Sequence, residues 1–215
     1  MKKFLVLFIL FVLPLGAYLF IIQGKINFEK LPVLSEKTGD ITVFHTAQGG
    51  SLDLSQNISV VLFVGSDLQR VSTGVLNLNE IVYRKLVKYK EFEIVVIAPQ
   101  GTESDVLQLK KDLNFMVGTD LNKWKFVYGS PEQITSYHKA LHTTNTLDDD
   151  YFDKDVYIID KNARLRGRFD DQGMVQFGYN IFQAATLKNE LLDDVKVVFY
   201  EYNSALKEFD NQREI

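Results

Sequence analysis

The stretch VVLFVGSDLQRVSTG, residues 60–74, runs from unbroken apolar β-formers through one glycine into polar residues. Ser59 and the five apolar residues after it read as a central strand covered on both faces. Beyond the turn, Val75, Leu78, Val82 and Leu86 recur at helical spacing, so a helix is predicted over residues 73–89. A strand that hands over to a helix at such a turn is the unit of an α/β domain, and chemistry in these domains sits at the strand ends. Gly65, Ser66, Asp67, Gln69 and Arg70 occupy that position here.

The alternation continues downstream. FEIVVIA, residues 92–98, is a second buried strand, and Thr102 or Ser104 is placed to cap a helix with the apolar stripe Val106, Leu109, Leu113 and Met116. Residues 124–128 form a third strand. Ser130-Pro131-Glu132-Gln133 follows, with serine at the N-cap, proline at the first helical position and glutamine at the third, which predicts a helix to about Leu141. Residues 143–153 are polar and acidic, as in a loop. Residues 156–159 and 165–169 flank Asp160-Lys161-Asn162-Ala163 and read as a hairpin. Leu187, Leu191, Val195, Val198, Tyr202, Leu206 and Phe209 keep one face, giving an amphipathic C-terminal helix with an expected break near Asp193-Asp194. Residues 41–44 and 51–54, separated by Gly49-Gly50, suggest a short hairpin before all of this. The expected fold is α/β, a mixed sheet covered by helices.

Composition narrows the function classes. Of 215 residues, 46% are hydrophobic and 24% charged, which is globular. A net charge of −4 lacks the basic footprint that nucleic acid requires. There is no cysteine, which removes disulfides, thiolate metal sites and thiol nucleophiles together. Lys2 and Lys3 precede an uncharged apolar run over residues 4–22. As a helix that run would be about 28 Å long against a hydrocarbon core of ~30 Å. The expectation is one N-terminal transmembrane helix, uncleaved, over residues 1–22, with the rest extracytoplasmic and facing the periplasm. Residues 23–36 are then a tether, 37–178 the domain and 179–215 a C-terminal helical extension.

Several stretches together resemble the Sco/SenC family of membrane-anchored, thioredoxin-fold copper chaperones of cytochrome c oxidase assembly. They are Leu31-Pro32-Val33-Leu34, the strand at 59–64, IAPQGTESDVLQLKKDL at 97–113, NKWKFVYGSPEQI at 122–134 and DVYIIDKNARLRGRFDD at 155–171. The last is the most specific, and the resemblance covers residues 30–175. It implies a thioredoxin-like domain. It also implies two cysteines spaced CxxxC after the first strand and a histidine before the hairpin strand, as ligands for copper. The corresponding turn here carries Ser66, Asp67 and Arg70, and the histidine position falls near Phe152, so all three ligands are missing. Copper(I) prefers soft donors, which serine and aspartate do not supply.

The remaining candidates are weaker. His138 and His142 lie four apart on the third helix and could share a metal, but no glutamate base and no third ligand accompany them, so two solvent-exposed histidines are expected. The carboxylates of residues 148–155 could hold calcium but lack the glycine and terminal glutamate of an EF-hand loop, so a solvated acidic loop is expected. Tyr151 and Phe152 could form an exposed contact or pin that loop to the core. Ser66 lacks a nucleophile elbow, and an enzyme reading would need His45 or another base beside it. Arg164, Arg166 and Arg168 alternate on one strand face, where such charges commonly blunt a sheet edge. The resulting expectation is a degenerate Sco/SenC-like protein, not an enzyme, without cofactor or metal. It would touch the membrane through its N-terminal helix and a protein partner in the envelope, serving assembly of a respiratory or envelope complex. The alternative is a copper-handling or redox accessory protein using His138, His142, Met116 or Met174.

Overall fold

The computed structural model describes residues 3, 8, 10–16, 18, 30–118, 120–170 and 172–213. Its strands are β1 (Val33–Ser35), β2 (Ile58–Phe63), β3 (Phe92–Pro99), β4 (Trp124–Gly129), β5 (Asp155–Ile159), β6 (Leu165–Arg166), β7 (Arg168–Phe169), β8 (Val175–Gln176) and β9 (Tyr179–Asn180). Its helices are α1 (Leu68–Leu78), α2 (Arg84–Leu86), α3 (Glu103–Val117), α4 (Pro131–Ala140), α5 (Ala184–Thr186) and α6 (Leu192–Arg213), with π-helical turns at Asn79–Tyr83 and Leu187–Leu191. The central sheet runs β1-β6-β5-β2-β3-β4; β9 pairs with β5, and β7 and β8 form a separate hairpin. β2, β3 and β4 are parallel, whereas β5 pairs antiparallel with both β2 and β6. The expected thioredoxin-like mixed sheet is therefore present.

The unbroken apolar strands follow from burial on both faces. Val60 and Leu62 of β2 join Ile94, Val96 and Ile158 on one face, under α1, α3 and α6. Val61 and Phe63 join Val95, Ile97, Val127 and Tyr157 on the other, under α4. Successive side chains of a strand point to opposite faces, so a strand with helices on both sides must be apolar at every position.

Several elements differ from the sequence reading. α1 begins at Leu68 rather than Thr73, because Asp67 caps it and Leu68 and Val71 are already buried. The hairpin expected at 41–54 is reduced to a single antiparallel bridge, His45 to Ser51, closed by the Thr46 N–H donating to the Gly50 carbonyl at 2.7 Å. Ile41–Val43 is a 3-10 turn, since the Asp40 carboxylate accepts the Thr42 N–H at 2.9 Å and curls the chain. His45 then exchanges backbone hydrogen bonds of 3.1 and 2.8 Å with Tyr128 and covers part of the β4 edge. The C-terminal helix changes pitch at Leu187–Leu191, ahead of the acidic pair. Arg166 does not blunt an edge: it is 2% exposed and ion-paired in the interior.

The membrane-spanning helix expected over residues 1–22 is corrected as well. No helix among the described residues is long and apolar enough to cross a membrane. The rest of the expected span, and tether residues 23–29, lie outside the described residues.

Candidate functional site

Gly65 ends β2 at φ +67°, and a Cβ on it would stand 2.7 Å from the Asp150 carbonyl oxygen. Only glycine therefore lets the loop at 148–153 lie against the strand end. That loop is held by backbone. Ser66 N–H donates to the Asp150 carbonyl at 3.1 Å, Asp153 N–H donates to the Phe63 carbonyl at 3.2 Å, and Val64 bridges Phe152. Ser66 Oγ donates to Asp150 Oδ1 at 3.1 Å. Asp67 Oδ1 accepts the N–H groups of Gln69 and Arg70, each at 3.2 Å, which is an N-cap.

One turn into α1, Arg70 reaches back over the same loop. Its Nη1 lies 2.6 Å from Asp148 Oδ2, and its guanidinium sits 4.7 Å from the centre of the Phe152 ring. Phe152 is buried and meets Phe182 edge-on, with ring centres 6.2 Å apart. Asp148 Oδ1 accepts the N–H groups of Asp150 and Phe152, each at 3.0 Å. Burial pushes the Asp148 carboxyl up, but these N–H groups and Arg70 outweigh it and hold the carboxyl below its ordinary range. Arg70 is half exposed, so its ion pair contributes about 0.2–1 kcal/mol and its cation–π contact a similar ~0.5–1 kcal/mol.

Ser66, Arg70 and Phe152 thus converge, although they come from segments about eighty residues apart. They are committed to one another's segments: a hydroxyl to a carboxylate, a guanidinium to a carboxylate and a ring. Ser66 has Asp150, not a histidine, as its side-chain partner, and His45 lies at the β4 edge beside Tyr128. A cleft of about 410 Å³ opens from this turn toward α3, lined by Ser66, Asp67, Gln69, Asp105 and Asp112 among others.

His138 departs from the expectation. It is buried, with Nε2 2.8 Å from Asp153 Oδ2. The Tyr157 hydroxyl donates to the same oxygen, and Asn145 Nδ2 donates to Tyr157 Oη at 3.0 Å and to Asp155 Oδ2 at 2.8 Å. Burial, with the Asp153 carboxylate behind it, pushes the Tyr157 hydroxyl well above its ordinary value; burial also raises Asp155. His142 is exposed, just past the end of α4, at φ +56°. The acidic loop is not simply solvated: Asp148, Asp150, Asp153 and Asp155 each have a named partner. Among the described residues no group of three potential metal ligands is gathered. Met174 is exposed at the β7–β8 turn, and the Met116 side chain lies outside the description. Sequence reading missed Asp148, Asp150 and Asp153 as individuals. Their only signal was the local density of carboxylates.

No family model matches this sequence, and no curated protein matches it. Solved structures do. BsSco, described as a member of the Sco family of cytochrome c oxidase assembly proteins, superposes with a TM-score of 0.57 at 11% identity, over 79% of this chain and 98% of that one. This chain shares the fold of that structure. A proposed electron transfer protein from Aquifex aeolicus VF5 gives a TM-score of 0.52 at 13% identity, over 76% of this chain and 97% of that one. A thiol:disulfide interchange protein from Bacteroides sp. gives 0.50 at 11%, over 76% and 91%. That fold is also found in structures described as electron-transfer and thiol:disulfide interchange proteins, while this chain contains no cysteine.

Proposed function

We propose that this chain is a non-catalytic binding or assembly factor that keeps a Sco-type scaffold without the copper and thiol chemistry. One observation carries the reading. The turn after β2 holds no sulfur, and the positions that the resemblance aligns with metal ligands serve as a clasp between α1 and the 148–153 loop. Thiol–disulfide exchange needs a thiolate, and none exists in the sequence. What a rigid turn can still offer is a surface. Here that surface is Asp67, Gln69, the Arg70–Asp148 pair and the half-exposed Phe182. The partner is a protein of the cell envelope, engaged outside the cytoplasm, in assembly of a respiratory or envelope complex. The assembly role described for BsSco supports that direction.

Copper(I) titration of the full chain against a chromogenic copper(I) chelator tests the reading. The expected result is that the β2–α1 turn holds no copper, so Asp67→Ala and Ser66→Ala leave the competition curve unchanged. Stoichiometric copper(I) binding that either substitution abolishes would overturn it.

A further inference from the structure

We infer that His138 and His142 form a two-imidazole site for a borderline divalent transition-metal ion, opening on the cleft beside α4 and separate from the β2–α1 turn. The cleft has a volume of about 520 Å³, and both histidines line it with Lys139, Thr143, Asp148 and Tyr151. His138 is 5% exposed, so nearly all of its ring is enclosed. Its Nε2 meets Asp153 Oδ2 at 2.8 Å. That carboxylate also accepts the Tyr157 hydroxyl at Oδ2 and the Asp155 N–H at Oδ1, 2.9 Å away. An acceptor so placed assigns the proton of a neutral imidazole to Nε2 and leaves the lone pair on Nδ1.

Nδ1 has no hydrogen-bond partner among the described residues. It is also absent from the sealed, partnerless side-chain atoms, which are those of Asn79, Trp124 and Tyr137. His138 is among the residues that line the cleft. Its free lone pair is therefore presented there by a ring that Asp153 holds from behind. A carboxylate behind an imidazole is the support that metal-bound histidines characteristically have. His142 supplies the second donor. Its imidazole makes no hydrogen bond among the described residues, and its left-handed backbone carries it off the end of α4 while keeping it on the cleft wall. Paired imidazoles suit zinc, copper(II) and nickel rather than calcium or magnesium. Lys139 and Asp148 also line the cleft, and Asp148 is engaged by Arg70. With no third side chain gathered among the described residues, water or a partner's donor completes the coordination. The site is accordingly open rather than structural.

Zn²⁺ titration of the full chain by calorimetry tests this, with circular dichroism confirming that each variant folds. One equivalent of Zn²⁺ is expected to bind. His142→Ala, at an exposed position, should weaken it at least tenfold. Asp153→Asn should weaken it about 10- to 100-fold, the usual effect of losing such a support. His45→Ala should leave it unchanged. Absence of a saturable one-equivalent isotherm, or an affinity untouched by His142→Ala or by Asp153→Asn, overturns the proposal.

Discussion

Replacing Arg166 by methionine removes a cation that ties the β5–β6 hairpin to two distant segments, at Leu31 and Glu201. Nη1 lies 3.0 Å from Asp160 Oδ2, Nε donates to the Leu31 carbonyl at 3.0 Å, and Nη2 lies 2.6 Å from Glu201 Oε2. The Arg166 side chain is 3% exposed and that of Asp160 fully buried. Breaking a buried ion pair by deleting one partner costs about 3–5 kcal/mol, because the other charge stays behind. Asp160 keeps Arg164 Nε at 3.0 Å and the N–H groups of Asn162 and Arg164, and Glu201 keeps the Leu31 N–H at 2.7 Å. The loss therefore sits at the lower end, about 3 kcal/mol, or ~6–12 °C in Tm for a domain of this size. Calorimetric melting of wild type, Arg166→Met, Asp160→Asn and the double variant reads it, with the double variant losing less than the sum of the singles. A loss under about 1 kcal/mol, or strict additivity, would refute the claim that this network is a buried, coupled unit. The acid side supplies a second reading. Burial pushes the Asp160 carboxyl up, but Arg164, two N–H groups and Arg166 outweigh it and hold it below its ordinary value. Its stabilisation is thus present above the ordinary carboxylate range and lost as pH falls through the depressed value. In Arg166→Met the folded value is less depressed, so the acid-dependent loss is smaller and is complete at a higher pH.

Gly65→Ala forces a left-handed non-glycine residue, costing about 1–2 kcal/mol, and sets a Cβ 2.7 Å from the Asp150 carbonyl. Hydrogen exchange at the Ser66 amide, which bonds that carbonyl, should speed up more than exchange in β2; unchanged protection would refute the packing argument. Burial pushes the hydroxyls of Tyr137, Tyr157 and Tyr179 upward, helped for the latter two by Asp153 and Asp194. A raised folded value means full stability below the ordinary tyrosine range and loss above it. Stability should then fall by about 4 kcal/mol per pH unit above pH ~10, at ~1.4 for each of three groups. Tyrosinate absorbance that reaches the value for all ten tyrosines before the fold is lost would contradict this. Asn79 is fully buried in a π-helical turn, and neither side-chain atom has a partner among the described residues. Asn79→Leu should raise stability by about 1–2 kcal/mol in urea titration, and a loss of that size would show that the amide is satisfied.

What the sequence determined by itself is the order of elements and the fold class. Strands buried on both faces must be apolar at every position, and Ser130-Pro131 followed by Gln133 builds its capping box from neighbours, with Ser130 Oγ accepting the Gln133 N–H at 3.3 Å. Such signals are local, and local chemistry survives in a linear string. The absence of sulfur was equally legible, and so was the place where its absence matters. Only the tertiary structure decided which polar groups meet. Arg70 finds Asp148 across 78 residues, and His138 finds Asp153 across fifteen. Arg166 looks like an edge charge until Asp160 and Glu201 are folded around it. A charged side chain carries no mark of its partner. Whether it is solvated or buried depends on the dielectric and the donors that distant segments bring to it, and those exist only once the chain has folded.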